Sequence, residues 1–256
     1  MALKSKEEIA IMEEGGRRHA RILANLASMV KPGVSTLILE EEALWLIREN
    51  GGTPAFLGYT PAGAKRPYPA ALCVSVNDEI VHGIPNEAER IIDEGDLVSL
   101  DLGFVYKNLI TDSAVTVSAG AADDEARELL RVGRLALERG IAAAQPGSRI
   151  GDIGASVMSA VEGTRFSLAR DLAGHAVGHK VHEEPLIPNV GRPGTGQELV
   201  PGLVIAIEPM VNAGKGDIKV LKDGYTIVTK DGSRSVHFEH TIAITEKGNI
   251  ILTAHD

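Results

Sequence analysis

The chain is short of several things, and each shortage removes a class of function. It has one cysteine, Cys73, in 256 residues, so neither a disulfide framework nor a thiolate cage for zinc or an iron–sulfur cluster can be built within it. Aromatics are scarce, with Phe 4, Tyr 4 and Trp 1, which leaves little from which to make the stacking platforms of single-strand binders. Basic side chains are in deficit, 26 against 35 acidic, for a formal charge of -9. Clustered Lys and Arg carry affinity for phosphate backbones and anionic membranes, so specific nucleic acid and membrane are poor partners. No apolar run reaches the ~18 residues that span a bilayer, and the stretch Met1 to Glu8 turns acidic before any apolar segment begins, unlike a secretory signal. The expectation is a cytoplasmic protein whose core is aliphatic, since hydrophobic residues make up 44% of the chain and charged residues 24%.

What is present is organised twice over. Ser5 with Glu8 has the form of a capping box, and Ile9, Met12, Leu23, Leu26 and Val30 then keep helical spacing, with Gly15-Gly16 as the expected point of interruption and Pro32-Gly33 as the stop. A second helix fits Thr36 to Glu49 and ends at Asn50-Gly51-Gly52, residues that favour helix C-termini. On it, Glu40-Glu41-Glu42 reads as a solvated face and Trp45 as a packing residue. After an irregular loop over 53–69, short apolar runs at Leu72 to Val76, Leu97 to Leu102 and Ala114 to Val117 read as strands. The pattern then restarts: Asp123 caps a helix to Ala144, Pro146-Gly147 stops it, Ser148 opens another ending near Gly163, and strands follow at Leu203 to Ile207, Tyr225 to Thr229 and Thr241 to Thr245. Two helices covering strands, twice, around one shared sheet, make an α+β unit with two related halves, about 1–120 and 121–256.

The repeat also places acids. Gly95 to Asp101 and Gly202 to Glu208 each end an apolar strand in a carboxylate, and each half supplies another just ahead of a β-branched run, Asp112 before Ser113 to Val117 and Glu239 before His240 to Thr245. An ionised carboxylate in an apolar strand is expensive unless it is paired or binds a metal. The strands carrying these four contain no Lys or Arg, so divalent cations are the natural counter-charge. The run Gly174 to Pro185 adds His175, His179 and His182. Their spacing would put all three on one side of a helix, but Gly174, Gly178 and Pro185 favour strand or loop, in which the three cannot all face one place. His82, before Gly83-Ile84-Pro85, is the fourth candidate.

These segments, His82-Gly83-Ile84-Pro85, Asp101-Leu102-Gly103, Thr111-Asp112, Gly174-His175 with His182-Glu183-Glu184-Pro185, Ile207-Glu208-Pro209 and Phe238-Glu239-His240-Thr241, resemble in order and spacing the motifs of the type I methionine aminopeptidases, over essentially the whole chain. The resemblance implies a pita-bread fold, two pseudo-symmetric halves around a mostly antiparallel sheet in a single catalytic domain, 1–256. It implies two divalent ions (Co, Mn, Fe, Zn or Ni) held by Asp101, Asp112, His175, Glu208 and Glu239, with Asp112 and Glu239 bridging. Glu208 would also move the proton from water to the leaving amine, His182 would donate to the scissile carbonyl, and His82 would contact the substrate backbone. Implied as well are N-terminal Met peptides of nascent chains as substrates when the second residue is small, transient association with the ribosome and a monomeric state.

The departures from the family pattern fall around the methionine pocket. Ala176-Val177 stands where Gly-Ile is frequent, Phe56 where a small residue or cysteine is common, and Tyr225 where tryptophan is frequent. The loop from Tyr59 to Tyr68 is longer than usual. His179 is outside the family's set and is expected either just behind the ligands or at the surface. Phe56, Tyr59, Cys73 and Tyr225, with His82 and His182, are the expected substrate contacts, and Cys73 is expected to be a small buried apolar residue and no nucleophile. Two other readings compete: an X-Pro aminopeptidase or prolidase of the same fold, against which stands the extra N-terminal domain those enzymes usually carry, and a non-catalytic pita-bread binding protein, against which stands the full ligand set.

Overall fold

The computed structural model describes residues 2–61, 63–87 and 89–254; Met1 and residue 62 of the long loop lie outside them. Helix α1 (Lys6–Met29) starts at the expected capping box, Ser5 Oγ accepting from Glu8 N at 3.2 Å while the Glu8 carboxylate accepts from Ser5 N at 2.7 Å. It runs unbroken through Gly15-Gly16. A Cβ on Gly16 would lie 2.0 Å from the Leu252 carbonyl oxygen and one on Gly15 3.0 Å from Tyr106 Cβ, so these glycines exchange about 1 kcal/mol each of helix propensity for close approach to the strands beneath. Helices α2 (Thr36–Glu49), α3 (Asp124–Ala143) and α4 (Ile150–Val161) follow the sequence expectation closely.

The strands are β1 (Thr53–Pro54), β2 (Leu72–Val76), β3 (Glu79–Val81), β4 (Leu97–Tyr106), β5 (Leu109–Ser118), β6 (Ser167–Leu168), β7 (Ala173–Ala176), β8 (Glu183–Pro188), β9 (Val204–Ile207), β10 (Met210–Asn212), β11 (Ile218–Val220), β12 (Ile227–Thr229), β13 (Ser235–His237), β14 (His240–Thr245) and β15 (Gly248–Ile251). The shared sheet is divided into two large antiparallel sheets: β1-β4-β2 with β5 added on β4, and β15-β14-β9-β7-β8. Two three-stranded sheets, β13-β10-β6 and β11-β12-β3, flank them. The β4–β5 hairpin is longer than expected because it closes on Lys107 and Asn108, both with positive φ, 49° and 65°. That is the primed-turn geometry, and Lys107 gives no turn signal of its own. Asp112 therefore lies inside a strand rather than ahead of one.

Helices α1 and α2 cover the first large sheet, Ile22, Leu26, Leu39 and Ile47 packing on Leu72, Leu100, Leu102 and Phe104. Helices α3 and α4 cover the second, Leu129, Val132, Ile153 and Val157 packing on Ile187, Ile205, Ile207 and Ile242. Each such side chain contributes about 1.5–3 kcal/mol by leaving water, so both sheets have a rigid back. Two residues of α2 differ from expectation. Glu40 is buried, its two oxygens accepting from Ala71 N and Leu72 N at 2.7 and 2.9 Å, while Trp45 is 50% exposed.

Candidate active site and metal centre

Strand register explains why acids far apart in sequence meet. In the β4–β5 ladder Asp101 faces Ala114 and Gly103 faces Asp112; side chains alternate along a strand and opposite residues share a face, so Asp101 and Asp112 project from the same face as diagonal neighbours. In the second sheet His175 pairs with Ala206, which puts His175 on the face that Glu208 takes two residues on. Glu239 stands immediately before β14, whose His240 pairs with Ile207. Between the sheets, Glu239 N donates to Ala114 O at 2.9 Å, Ser113 Oγ to Glu239 O at 2.8 Å, and Asp112 N to Thr241 Oγ1 at 2.8 Å while that hydroxyl donates back to Asp112 O at 2.6 Å.

The result is a dense, dry cluster of acid. Asp101, Asp112, Glu208, Glu239 and His175 are all buried, and among the described residues lining their cavity none is Lys or Arg. Burial raises Asp112 and Glu239 far above the carboxylate range, the neighbouring carboxylates adding to the effect. Burial likewise carries Asp101 up to about 6 and Glu208 to about 8. Asp101 Oδ1, Asp112 Oδ1 and Glu239 Oε1 find no hydrogen-bond donor among the described residues. Donor atoms of Asp112, His175 and Glu239 lie within 4.8 Å of one another. Bare oxygens, a neutral imidazole and missing cationic side chains fit a divalent ion of the Mn, Fe, Co, Ni or Zn kind better than calcium, whose ligands are all oxygen.

The histidines separate by environment. His175 Nδ1 lies 3.0 Å from the Ala176 carbonyl, which can only accept, so this nitrogen carries the hydrogen and Nε2 keeps its lone pair for the site. Nε2 stands 3.5 Å from Glu208 Oε1 and 3.9 Å from Asp112 Oδ2. Burial lowers His175 to about 3 and His82, with His182 and His237 adding to the effect, to about 4, so both rings are neutral near pH 7. His182 packs edge-on against His175, ring centroids 4.4 Å apart, and its Nδ1 meets the Tyr59 hydroxyl at 2.9 Å. His179 points elsewhere, its Nε2 2.7 Å from Glu8 Oε1 at the surface.

A cavity of about 300 Å³ joins these groups. Every residue named from the sequence lines it: Phe56, Tyr59, Cys73, His82, Asp101, Asp112, His175, His182, Glu208, Tyr225 and Glu239. The rest of its wall is largely apolar, with Tyr68, Val181 and Ile227 added. Gly103 lets that wall approach, since a Cβ there would lie 2.7 Å from the Phe56 ring. Tyr225 donates its hydroxyl to Arg66 O and packs edge-on against Tyr68 at 5.2 Å. The Cys73 thiol is buried and pushed up, so it stays protonated. Sequence reasoning missed His237, which lies against Glu208 and Glu239; its one signal was the two-residue spacing from Glu239 along an extended chain.

Residues 10–246 match the metallopeptidase family M24. The chain is 43% identical over 250 residues to methionine aminopeptidase 1 of Bacillus subtilis, covering 98% of both proteins. The crystal structure of a methionine aminopeptidase from Thermotoga maritima superimposes with a TM-score of 0.94 at 43% identity, over 100% of both chains. The prolidase of Pyrococcus furiosus superimposes at 0.74 with 23% identity, over 99% of this chain and 66% of its own, a likeness of fold alone.

Proposed function

Because the chain belongs to metallopeptidase family M24 and, within it, to the methionine aminopeptidases, we infer that it is a metal-dependent aminopeptidase removing the N-terminal methionine of peptides and proteins whose second residue is small. The observation that carries the chemistry is the set of buried carboxylate oxygens left without a donor among the described residues, in a cavity whose remaining wall is largely apolar. Asp101, Asp112, His175, Glu208 and Glu239 would hold two divalent ions there, Asp112 and Glu239 shared between them. Divalent ions supply Lewis acidity, lowering the pKa of a water and taking up an amino group.

The chain's own groups do the rest. Glu208, which lines the cavity, would carry the water's proton to the leaving amine, a task that suits a carboxyl held above its ordinary range. The Tyr59 hydroxyl lies 2.9 Å from His182 Nδ1; donating there, it would fix the tautomer that presents Nε2–H, ready to donate to the scissile carbonyl as its oxygen gains charge. His82, held at a positive φ of 60°, would bind the substrate backbone. Phe56, Tyr59, Cys73 and Tyr225 would enclose the methionine side chain, whose unbranched thioether suits an irregular aromatic and aliphatic wall. The substrate carries the remaining proposals: nascent chains are made in the cytoplasm, so the enzyme would act there, in passing contact with ribosomes. As every site residue comes from one chain, a monomer suffices. Reading 1–256 as one catalytic unit of two halves, about 1–120 and 121–256, is supported by the repeated order of helix pair and acid-bearing strands. Among the described residues no helix is long and apolar enough to cross a membrane.

The test is hydrolysis of Met-Ala-Ser beside Ala-Pro and leucine-led peptides, with and without added Mn²⁺ or Co²⁺. Cleavage confined to Met-Ala-Ser, dependent on metal and lost by more than about 10⁴-fold in Asp112→Asn, is expected; faster cleavage of X-Pro peptides would favour the prolidase reading. His182→Ala should lower kcat by about 10²–10³-fold, and His82→Ala should also slow turnover. Both should retain bound metal in elemental analysis, and metal lost from either variant contradicts these roles.

A further inference from the structure

Among the described residues, His237 is a buried side chain whose two ring nitrogens both lack a hydrogen-bond partner. It is 1% exposed, neither ring nitrogen makes a hydrogen bond, and its backbone is pinned, His237 N accepting no freedom because it donates to Thr116 Oγ1 at 2.8 Å while that hydroxyl donates to His237 O at 2.8 Å. A buried imidazole is costly unless something takes its N–H. Among the described residues, the carboxylate oxygens recorded beside it are those of metal-ligand candidates: Nε2 is 3.6 Å from Glu208 Oε2 and 3.9 Å from Glu239 Oε2. The oxygens sort by side. His175 faces Glu208 Oε1, and the bare oxygen of Glu239 is also Oε1, whereas His237 faces the Oε2 atom of each. Register agrees, because His237 pairs with Met210, two residues beyond Glu208.

We propose that His237 is a positioning residue, its ring N–H turning the Oε2 atoms of Glu208 and Glu239 away from the centre so that their Oε1 atoms face the metal. Outer donors of this kind set the orientation and basicity of ligands without touching the ion. The proposal rests on the metal-centre reading above and adds to it a residue that is not itself a ligand.

Calorimetric titration of the ion-free protein with Mn²⁺, for wild type, His237→Leu, His237→Gln and Asp112→Asn, tests it, with circular dichroism confirming that each variant is folded. His237→Leu should bind Mn²⁺ about 10–100-fold more weakly, and His237→Gln, which keeps an N–H at similar reach, should recover most of that loss. Electron spin-echo spectra of the Mn²⁺ form should show one coupled imidazole, unchanged in His237→Leu. Wild-type affinity in His237→Leu, no recovery in His237→Gln, or a second coupled imidazole that the leucine removes would each overturn the proposal. Unweakened binding in Asp112→Asn would instead overturn the metal-centre reading itself, so the two failures are distinguishable.

Discussion

Glu183 and Glu239 are both acids of strand termini withdrawn from water, yet they are treated in opposite ways. Glu183 is closed: Lys4 Nζ donates to Oε2 at 2.5 Å, and His179 N and Lys180 N donate to Oε1 at 2.7 and 3.0 Å. Glu40 is closed too, one backbone N–H on each oxygen. Glu239, Asp101 and Asp112 each keep an oxygen with no hydrogen-bond partner among the described residues. Burial alone therefore does not mark a functional acid. The mark is a buried acid whose partner the fold withholds, because an unsatisfied charge in a dry site is tolerated only if something from outside completes it.

Three substitutions would break or sharpen that contrast. The largest effect should come from Lys4→Met, which strips a closed acid of its cation: Lys4 and Glu183 side chains are 0% and 7% exposed, and an uncompensated buried charge costs about 3–5 kcal/mol. Thermal unfolding would show it, and an unchanged midpoint would mean that the pair is not structural. Asp112→Asn should act in the opposite sense. The folded state holds Asp112 far above its ordinary pKa, so ionisation near pH 7 works against folding, and removing that acid should raise the midpoint of the ion-free protein by on the order of 2 kcal/mol, or about 4–8 °C. A lower midpoint would show that the acid is already satisfied. The smallest effect concerns Glu40, which burial raises to about 7 despite its two backbone donors. A raised folded pKa gives stability that is full below the ordinary carboxyl pKa and lost as pH climbs through 7. Between pH 5 and 8, Glu40→Gln should therefore gain on wild type by on the order of 1–2 kcal/mol, the pH-independent cost of the change cancelling in the difference. Parallel curves would assign Glu40 an ordinary pKa.

The helices, their caps and the four acids were legible because each leaves a local trace: Ser5 with Glu8, proline-glycine stops, and carboxylates in or beside apolar and β-branched runs, although Asp101 and Asp112 lie inside β4 and β5 and not at a strand's end or ahead of one. What was hidden depends on contacts distant in sequence. Nothing local separates buried Glu40 from its neighbours, exposed Glu41 and half-buried Glu42; the backbone of Ala71 and Leu72 does. Gly15-Gly16 look like a break until Leu252 and Tyr106 press against them. The Tyr59–His182 bond joins residues 123 apart in sequence, and no periodicity announces it. Trp45, large and apolar, gave a strong expectation of packing and is half exposed. His237 was passed over because a lone histidine in a short strand carries no pattern, and its meaning lies in two acids on other strands.

The bonds joining the two large sheets run through Asp112, Ser113, Ala114, Glu239 and Thr241. In mechanical terms the weld and the working point are one line. A hinge along that line would carry the backbones of Asp112 and Glu239 with it and pull the acids apart, so the enzyme cannot open like a clam to admit substrate and keep a metal bound. Whatever admits substrate must therefore move elsewhere and leave that line where it is.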